Sequence, residues 1–285
     1  MAINLAQKYE KKVLERFKNG SKTDSGAGHD YDFNGVDTIT IYQIDTVPLV
    51  DYTRSGTARF GQLTELGDTK QSLVIAKDRA FTFSIDKGNA VQQFNIKQAN
   101  ACLKREIDEV VTPEIDKYRL QSWADGKGLS AGRSVLSATD GALTKANILE
   151  KIFEANATMS DNDVPDEGRI IYLPELTFVK FRLADVVMGA DGIAAENIRR
   201  GYRGTIDSLQ VVTVPSSRFP TGVNFIIKKK NATIDPVQLT TYRVQKEPMG
   251  VNGDVVEGRV IYDSFCLDGR EKAIFVSRVS AASGT

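Results

Sequence analysis

A single histidine, His29, stands among the 285 residues, inside the glycine- and serine-rich stretch KNGSKTDSGAGHDYDFN from Lys18 to Asn34. Ser-His-Asp, Cys-His and multi-histidine zinc chemistry all need a base or ligand held rigidly, and this stretch has nothing local to order it. Those chemistries are set aside. Gly126, Gly128 and Gly132 imitate a phosphate loop, but they follow a helical pattern, lack a Gly-Lys-Ser/Thr ending and miss the G-x-G-x-x-G spacing by one residue. An ordinary loop is expected there. Asp161, Asp163, Asp166 and Glu167 have the right chemistry for a hard cation, yet Pro165 and Asp166 stand where an EF-hand needs a third ligand and a glycine. That segment reads as a solvated loop. Lys228, Lys229 and Lys230, at a strand end, could meet phosphates or a neighbour's carboxylates, and a solvated turn is the expectation. Cys102 and Cys266 lack a Cys-x-x-Cys spacing and read as two buried, reduced thiols. No catalytic, cofactor-binding or metal-binding residue is assigned, and the chain is not read as an enzyme.

The bulk composition agrees. Lys plus Arg and Asp plus Glu balance at 37 each, which argues against the basic face of a dedicated nucleic-acid binder. The first segment departs from the balance: Lys8, Lys11, Lys12, Arg16, Lys18 and Lys22 outnumber Glu10 and Glu15. Apolar runs fall far short of the ~20 residues of a membrane span, and the charged N-terminus lacks a signal-peptide core, so a soluble, unexported protein is expected with no membrane partner.

The elements that would position any site are unusual in their order. Ile3, Tyr9, Val13, Leu14 and Phe17 fall near one helical stripe with cations opposite, an amphipathic helix that docks on its own domain or binds a partner, with a membrane-surface helix a remote third reading because the stripe is short and weakly apolar. The Lys18–Asn34 stretch reads as a flexible or partner-ordered tether. Val36 to Val47 reads as a strand, paired with Gln71 to Lys87, where Phe81, Phe83 and Ile85 alternate with polar residues. Such arms are roughly 40 Å long at ~3.3 Å per residue, and the tip between them carries Arg54, Arg59 and Phe60. An isolated ribbon of this kind is marginal in water, so something must cover it.

A long helix follows from an N-cap at Asn95, with Gln98 three residues on, to about Trp123; Thr112-Pro113 should kink it. Asp125 to Asp140 reads as a loop. Asp140 is expected to cap a helix reaching Ala155, with Leu149, Ile152 and Phe153 inward. Arg169 to Leu173 reads as a buried strand, and Pro174 as the start of a helix with Leu176, Val179 and Leu183 on one face, although Phe178, Val179 and Phe181 would also suit a strand. After a turn at Asn197–Gly204 come a strand pair at Thr205–Val214 and strands at Asn224–Lys228 and Val237–Gln245. Val255–Cys266 and Lys272–Val279 are expected to pair as a closing hairpin across Asp268-Gly269. The fold class is α+β.

This order of parts resembles the major capsid proteins of tailed bacteriophages, with the Hong Kong 97-type fold. The matching stretches are AFTFSIDKGNA (Ala80 to Ala90), the helix from Asn95 to Asp125, YLPELTFVKFRLAD (Tyr172 to Asp185), IRRGYRGTIDSLQVVTVPSSRFP (Ile198 to Pro220) and GRVIYDSFCLDGREKAIFV (Gly258 to Val276). The resemblance implies an N-arm (1–34), an extended β-hairpin E-loop (35–92), a peripheral domain with a long spine helix (93–137 and 241–285) and an axial domain (138–240). It implies a structural subunit assembling into pentamers and hexamers of an icosahedral head in the virion, built in the host bacterial cytoplasm around non-specifically packaged double-stranded DNA. Scaffolding, portal and decoration proteins are the implied partners. Intersubunit contacts are expected from Arg54, Arg59 and Phe60 on the ribbon and from Lys8, Lys11, Lys12, Arg16 and Phe17 on the arm. No crosslink is expected at Lys70 or Lys77. An encapsulin-like compartment shell is the nearest alternative, and an uncharacterised enzyme a remote one.

Overall fold

The computed structural model describes residues 21–28, 38–86, 99–184, 205–246 and 248–280. The basic helix expected over residues 3 to 18, the cap at Asn95, His29 and the turn at 197–204 lie outside them. Two compact units are present, Phe33–Ile75 and the remainder of the chain.

The smaller unit is a ribbon. Its strands β1 (Thr38–Ile44) and β2 (Asp68–Val74) pair antiparallel from Thr38 opposite Val74 to Ile44 opposite Asp68. The expected partner of the first strand, Gln71 to Lys87, is thus two strands. Only its first part pairs with β1, and β3 (Lys77–Asp86) belongs to the larger unit. Alternation along Phe81, Phe83 and Ile85 specifies one wet face but not which strand lies alongside, and the apolar face is claimed by a core elsewhere.

In the larger unit the chain runs from β3 into α1 (Ala99–Glu106), a π-helical turn (Ile107–Val111) and α2 (Thr112–Asp125). Pro113 lies in the first turn of α2, and the wider π turn sits immediately before it. A proline cannot donate to the preceding turn, so the helix adjusts there as expected. Gly126, at φ 66°, closes α2 in the left-handed conformation. Next come β4 (Leu136–Thr139), α3 (Ile148–Asp161), β5 (Arg169–Pro174), α4 (Glu175–Arg182), β6 (Thr205–Ile206), β7 (Leu209–Val214) and β8 (Val223–Lys229). The short β9 (Thr233–Ile234), β10 (Val237–Lys246), β11 (Gly253–Tyr262), β12 (Phe265–Cys266) and β13 (Ile274–Arg278) complete it.

Two sheets organise this unit. The first has the order β10-β11-β3, all antiparallel, and the long helix packs on it. Leu103, Ile107 and Val256 meet Phe81, Phe83 and Val244, and further along Ile115, Val260 and Tyr262 meet Val111, Tyr118 and Val237. Gly258 lies opposite Phe81, whose ring would be only 2.3 Å from a Cβ at that position, so the aromatic covers the bare glycine backbone.

The second sheet has the order β4-β13-β8-β5-β7-β6 and is covered on both faces. Ile171, Leu173, Phe225, Ile227 and Phe275 face α3 and α4, whereas Ile170, Tyr172, Ile226, Ile274 and Val276 face the end of α2 with Leu120 and Trp123. Double coverage explains why RIIYL and NFII are unbroken apolar runs. The Asp207-Ser208 turn between β6 and β7 has φ of 46° and 65°, the mirror-image geometry that suits two-residue hairpins. Asn156 holds it through Nδ2, which donates to Asp207 Oδ2 at 2.9 Å.

Several expectations are corrected here. The loop after α2 ends in a strand, because β4 pairs parallel with β13. Asp140 therefore cannot cap a helix; it accepts from Ser277 Oγ at 2.5 Å, and α3 begins at Ile148. Ile152 is inward as expected and Leu149 is half-buried against the core, but Phe153 is 44% exposed. On α4, Phe178 and Phe181 fill the core, and Leu176, Val179 and Leu183 face solvent: two apolar stripes compete and the aromatic one wins the sheet. The closing hairpin does not form. β11 pairs with β10 and β3, and β13 with β4 and β8, so the turn at Asp268-Gly269 carries the chain from one sheet to the other. No described helix is long and apolar enough to cross a membrane.

Candidate functional site

Among the described residues, ten of the 18 exposed large apolar side chains lie on the ribbon, among them Leu49, Leu63 and Phe60, the last 85% exposed. Among its strand residues only Gln71 and Leu73 are buried. The loop is nevertheless shaped. Asp45 N–H donates to the Gly67 carbonyl at 3.0 Å and Thr69 Oγ1 to Asp45 Oδ1 at 3.1 Å, closing the neck. At the tip Thr53 N–H donates to the Arg59 carbonyl at 3.0 Å, Arg59 Nε to the Gly56 carbonyl at 3.2 Å, and Tyr52 meets Phe60 edge-to-face at 5.1 Å. Arg59 and Phe60 are thus brought together, with Arg54 exposed on the same turn. Lys8, Lys11, Lys12, Arg16 and Phe17 lie outside the described residues.

The stretch read as a tether is anchored over residues 21–28. Asp116, fully buried on α2, accepts from Ser21 Oγ at 2.6 Å, Thr23 Oγ1 at 2.7 Å, Lys22 N–H at 3.0 Å and Arg218 Nη1 at 3.2 Å. Further along, Gly28 N–H donates to Asp235 Oδ2 at 3.2 Å, and Asp235 N–H returns to the Gly28 carbonyl at 3.1 Å. Two glycines allow the close approach: a Cβ on Gly26 would stand 2.2 Å from Tyr172 Oη, and one on Gly28 would stand 1.8 Å from the Thr233 carbonyl oxygen. Gly28→Ala is therefore expected to unseat this strap, costing ~1–3 kcal/mol in chemical denaturation and exposing the segment to limited proteolysis.

Under the strap lies a buried ion pair. Lys228 is not in a solvated turn but fully buried; its Nζ donates to the Gly26 carbonyl at 2.7 Å, stands 3.4 Å from Asp235 Oδ2 and sits over the Trp123 ring at 3.8 Å. The sheet is covered on both faces as far as this residue: Ile226 and Lys228 share the face of β8 that packs toward α2. Asp235 also accepts from Trp123 Nε1 at 3.0 Å, Thr233 Oγ1 at 2.6 Å and Ser264 Oγ at 2.5 Å. Arg119, buried beside it, donates to the Asp235 carbonyl at 3.3 Å and to Thr23 Oγ1 at 3.2 Å. Burial alone would raise the Asp235 carboxyl, but the Lys228 and Arg119 charges and the two hydroxyl donors outweigh it and hold it at about 2. Burial pushes Lys228 down to about 8 against the pull of Asp235, so the ammonium survives at neutral pH.

The sign of the acid response follows. A carboxylate depressed from 3.8 to about 2 contributes stability that is complete above 3.8 and is lost as pH falls through that window. Roughly 2 kcal/mol is expected from this group, read as a drop in urea midpoint between pH 5 and pH 2.

The remaining candidates are dispersed. Cys266 is buried, its thiol pushed up to about 12 by burial, whereas Cys102 is only half-buried, and neither is in a disulfide. In the acidic segment Asp166 pairs with Arg169 at 2.8 Å, and among the described residues no three His, Cys, Asp or Glu side chains converge in a way that could hold a metal. Gly126, Gly128 and Gly132 all have positive φ in the loop after α2. Lys70 lies over the Tyr42 ring at 5.1 Å and Lys77 over Tyr118 at 5.4 Å.

The sequence matches no protein-family model and no curated protein. The fold, by contrast, is found in solved structures. A chain from Mycobacterium phage Che8 superposes with a TM-score of 0.68 at 17% identity, covering 85% of this chain and 84% of that one. A chain from the capsid structure of cyanophage P-SCSP1u gives 0.65 at 11% identity, with 88% and 85% covered. A chain from the virus-like particle of Pyrococcus furiosus gives 0.59 at 8% identity, with 97% and 100% covered. This chain has the Hong Kong 97-type capsid fold.

Proposed function

We propose that this chain is the major subunit of an icosahedral phage head, a non-enzymatic protein that assembles into pentamers and hexamers around double-stranded DNA. The observation that carries the reading is the ribbon: a two-stranded unit with ten of the 18 exposed large apolar side chains among the described residues, in a fold shared with chains of several phage capsids. A lone ribbon is marginal in water, and a neighbouring copy is the surface that covers it. Arg54, Arg59 and Phe60 make the contact there, and Lys8, Lys11, Lys12, Arg16 and Phe17 make it from the arm. The parts map as N-arm 1–34, E-loop 35–92, peripheral domain 93–137 with 241–285, and axial domain 138–240. A net charge of zero suits hundreds of packed copies, since a large like charge would repel across every interface. Scaffolding, portal and decoration proteins, and assembly in the bacterial cytoplasm, belong to the same proposal.

Electron microscopy of concentrated protein, alone and with its scaffold, is the test. Closed shells are expected, and monomers under both conditions would overturn the reading. A compartment shell is the second reading, favoured by the full-length match to the Pyrococcus furiosus particle. It requires small shells without nuclease-protected DNA, where a phage head requires protected DNA.

A further inference from the structure

Asn19, Asn34 and Asn252 each precede a glycine, and the last of them lies in the described turn between β10 and β11. Val251 N–H donates to the Pro248 carbonyl at 3.0 Å, which closes that turn, and Met249 at its apex is fully exposed. Asn252 follows in an exposed bend, and its side-chain amide has no hydrogen-bonding partner among the described residues. Other asparagine amides are held in place: Asn156 Nδ2 donates to Asp207 Oδ2 at 2.9 Å, Asn162 Nδ2 to the Thr158 carbonyl at 2.8 Å and Asn224 Nδ2 to the Gly141 carbonyl at 2.8 Å. None of those three precedes a glycine. The glycine after Asn252 is one that the fold demands, because a Cβ on Gly253 would stand 2.0 Å from the Ile85 carbonyl oxygen where β11 meets β3. The same missing Cβ leaves the Gly253 nitrogen unshielded toward the side chain before it.

Gly253 opens β11 opposite Asp86, at the end of the ladder with β3, and the ladder with β10 stops at Lys246 opposite Asp254. End pairs open more readily than internal ones, so the backbone here can turn to meet the side chain. We infer that Asn252 is a site of self-modification, a deamidation driven by its own neighbour. The Gly253 nitrogen attacks the Asn252 side-chain carbonyl carbon, a C–N bond forms that closes a succinimide ring, and the side-chain nitrogen leaves as ammonia with the proton of the Gly253 N–H. One water then opens the ring at either carbonyl, giving aspartate or its β-linked isomer. Amide plus water becomes acid plus ammonia, and no oxidant, reductant or cofactor takes part. The β-linked product adds a backbone carbon just before Gly253 and sets a carboxylate close to Asp254, so β11 loses its register with β3 at that end. The site is separate from the ribbon and does not depend on whether the chain builds a phage head or a compartment.

Trypsin releases Glu247–Arg259, a peptide in which Asn252 is the sole side-chain amide, so mass spectrometry of the folded, full-length chain aged at pH 6 and at pH 9 reads the conversion directly. The peptide should gain the amide-to-acid mass at least tenfold faster than the peptides that carry Asn156, Asn162 and Asn224. Conversion should be faster at pH 9, because the attacking nitrogen must lose its proton, and the product should accept a methyl group from an isoaspartyl methyltransferase. Asn252→Gln should abolish it, since the longer side chain no longer closes the favoured ring. That variant should keep the wild-type denaturation midpoint, because the exposed amide holds nothing in place. A Glu247–Arg259 peptide that stays unconverted in the folded chain would overturn the inference, as would conversion no faster than at Asn156. Aspartate formed without any β-linked product would overturn the succinimide route.

Discussion

Protein lacking Asp51–Leu66 is expected to remain folded and to lose assembly entirely. The excised segment carries Tyr52, Phe60, Leu63 and Leu66, each more than half exposed. At ~1.5–3 kcal/mol for each such side chain when fully buried, they offer roughly 6–12 kcal/mol to an interface. That is comparable with the ~4–15 kcal/mol that association costs in lost freedom, so removing them decides the outcome. The fold should survive because the neck is untouched: Asp45 still reaches Gly67, and residues 46–50 are enough to close a hairpin. Analytical ultracentrifugation beside circular dichroism reads both halves. Shells formed by the deleted protein would remove the ribbon from the assembly mechanism, and an unfolded product would mean that its role is intramolecular. Phe60→Ala with Arg59→Ala should weaken assembly in the same direction while leaving the denaturation midpoint within about 0.5 kcal/mol, as is usual for surface positions.

Asp235→Asn should have the largest effect on stability. It leaves the Lys228 ammonium buried without a counter-charge and places an amide where hydroxyl, indole and backbone donors all converge. Breaking a buried pair from one side typically costs ~3–5 kcal/mol, which for a chain of this size lowers the melting temperature on the order of 10 °C. Adding Lys228→Met should recover part of the loss, since the second change removes the stranded charge. An Asp235→Asn protein within about 1 kcal/mol of wild type would show that the pair contributes little.

The elements with one dominant pattern were legible in the sequence. Arg169–Leu173 had to be a buried strand, and the long helix with its proline adjustment followed from spacing. The ribbon's first strand was legible too, but its partner was not, because the break at Ile75–Ala76 carries no glycine or proline and β3 looks like a continuation. Strand neighbours were the least legible: Val255–Cys266 and Lys272–Val279 are adjacent and strand-like, yet each satisfies its hydrogen bonds in a different sheet. The strap was invisible for a related reason. Its ordering partners Asp116 and Asp235 lie 94 residues from Lys22 and 207 from Gly28, and no local rule reaches that far. The lysine triplet misled because charge runs are usually wet, whereas β8 is covered on both faces as far as Lys228.

The separation between Gly28 and Asp235 also sets a clock during translation. A ribosome adding ~5–20 residues per second makes Asp235 roughly 10–40 s after Gly28. Throughout that interval the nascent chain holds Gly28 without its Asp235 seat, although Asp116, the seat of residues 21–23, is made earlier. Seating of Gly28 is therefore a late event in biogenesis, and it marks a chain whose own fold has closed.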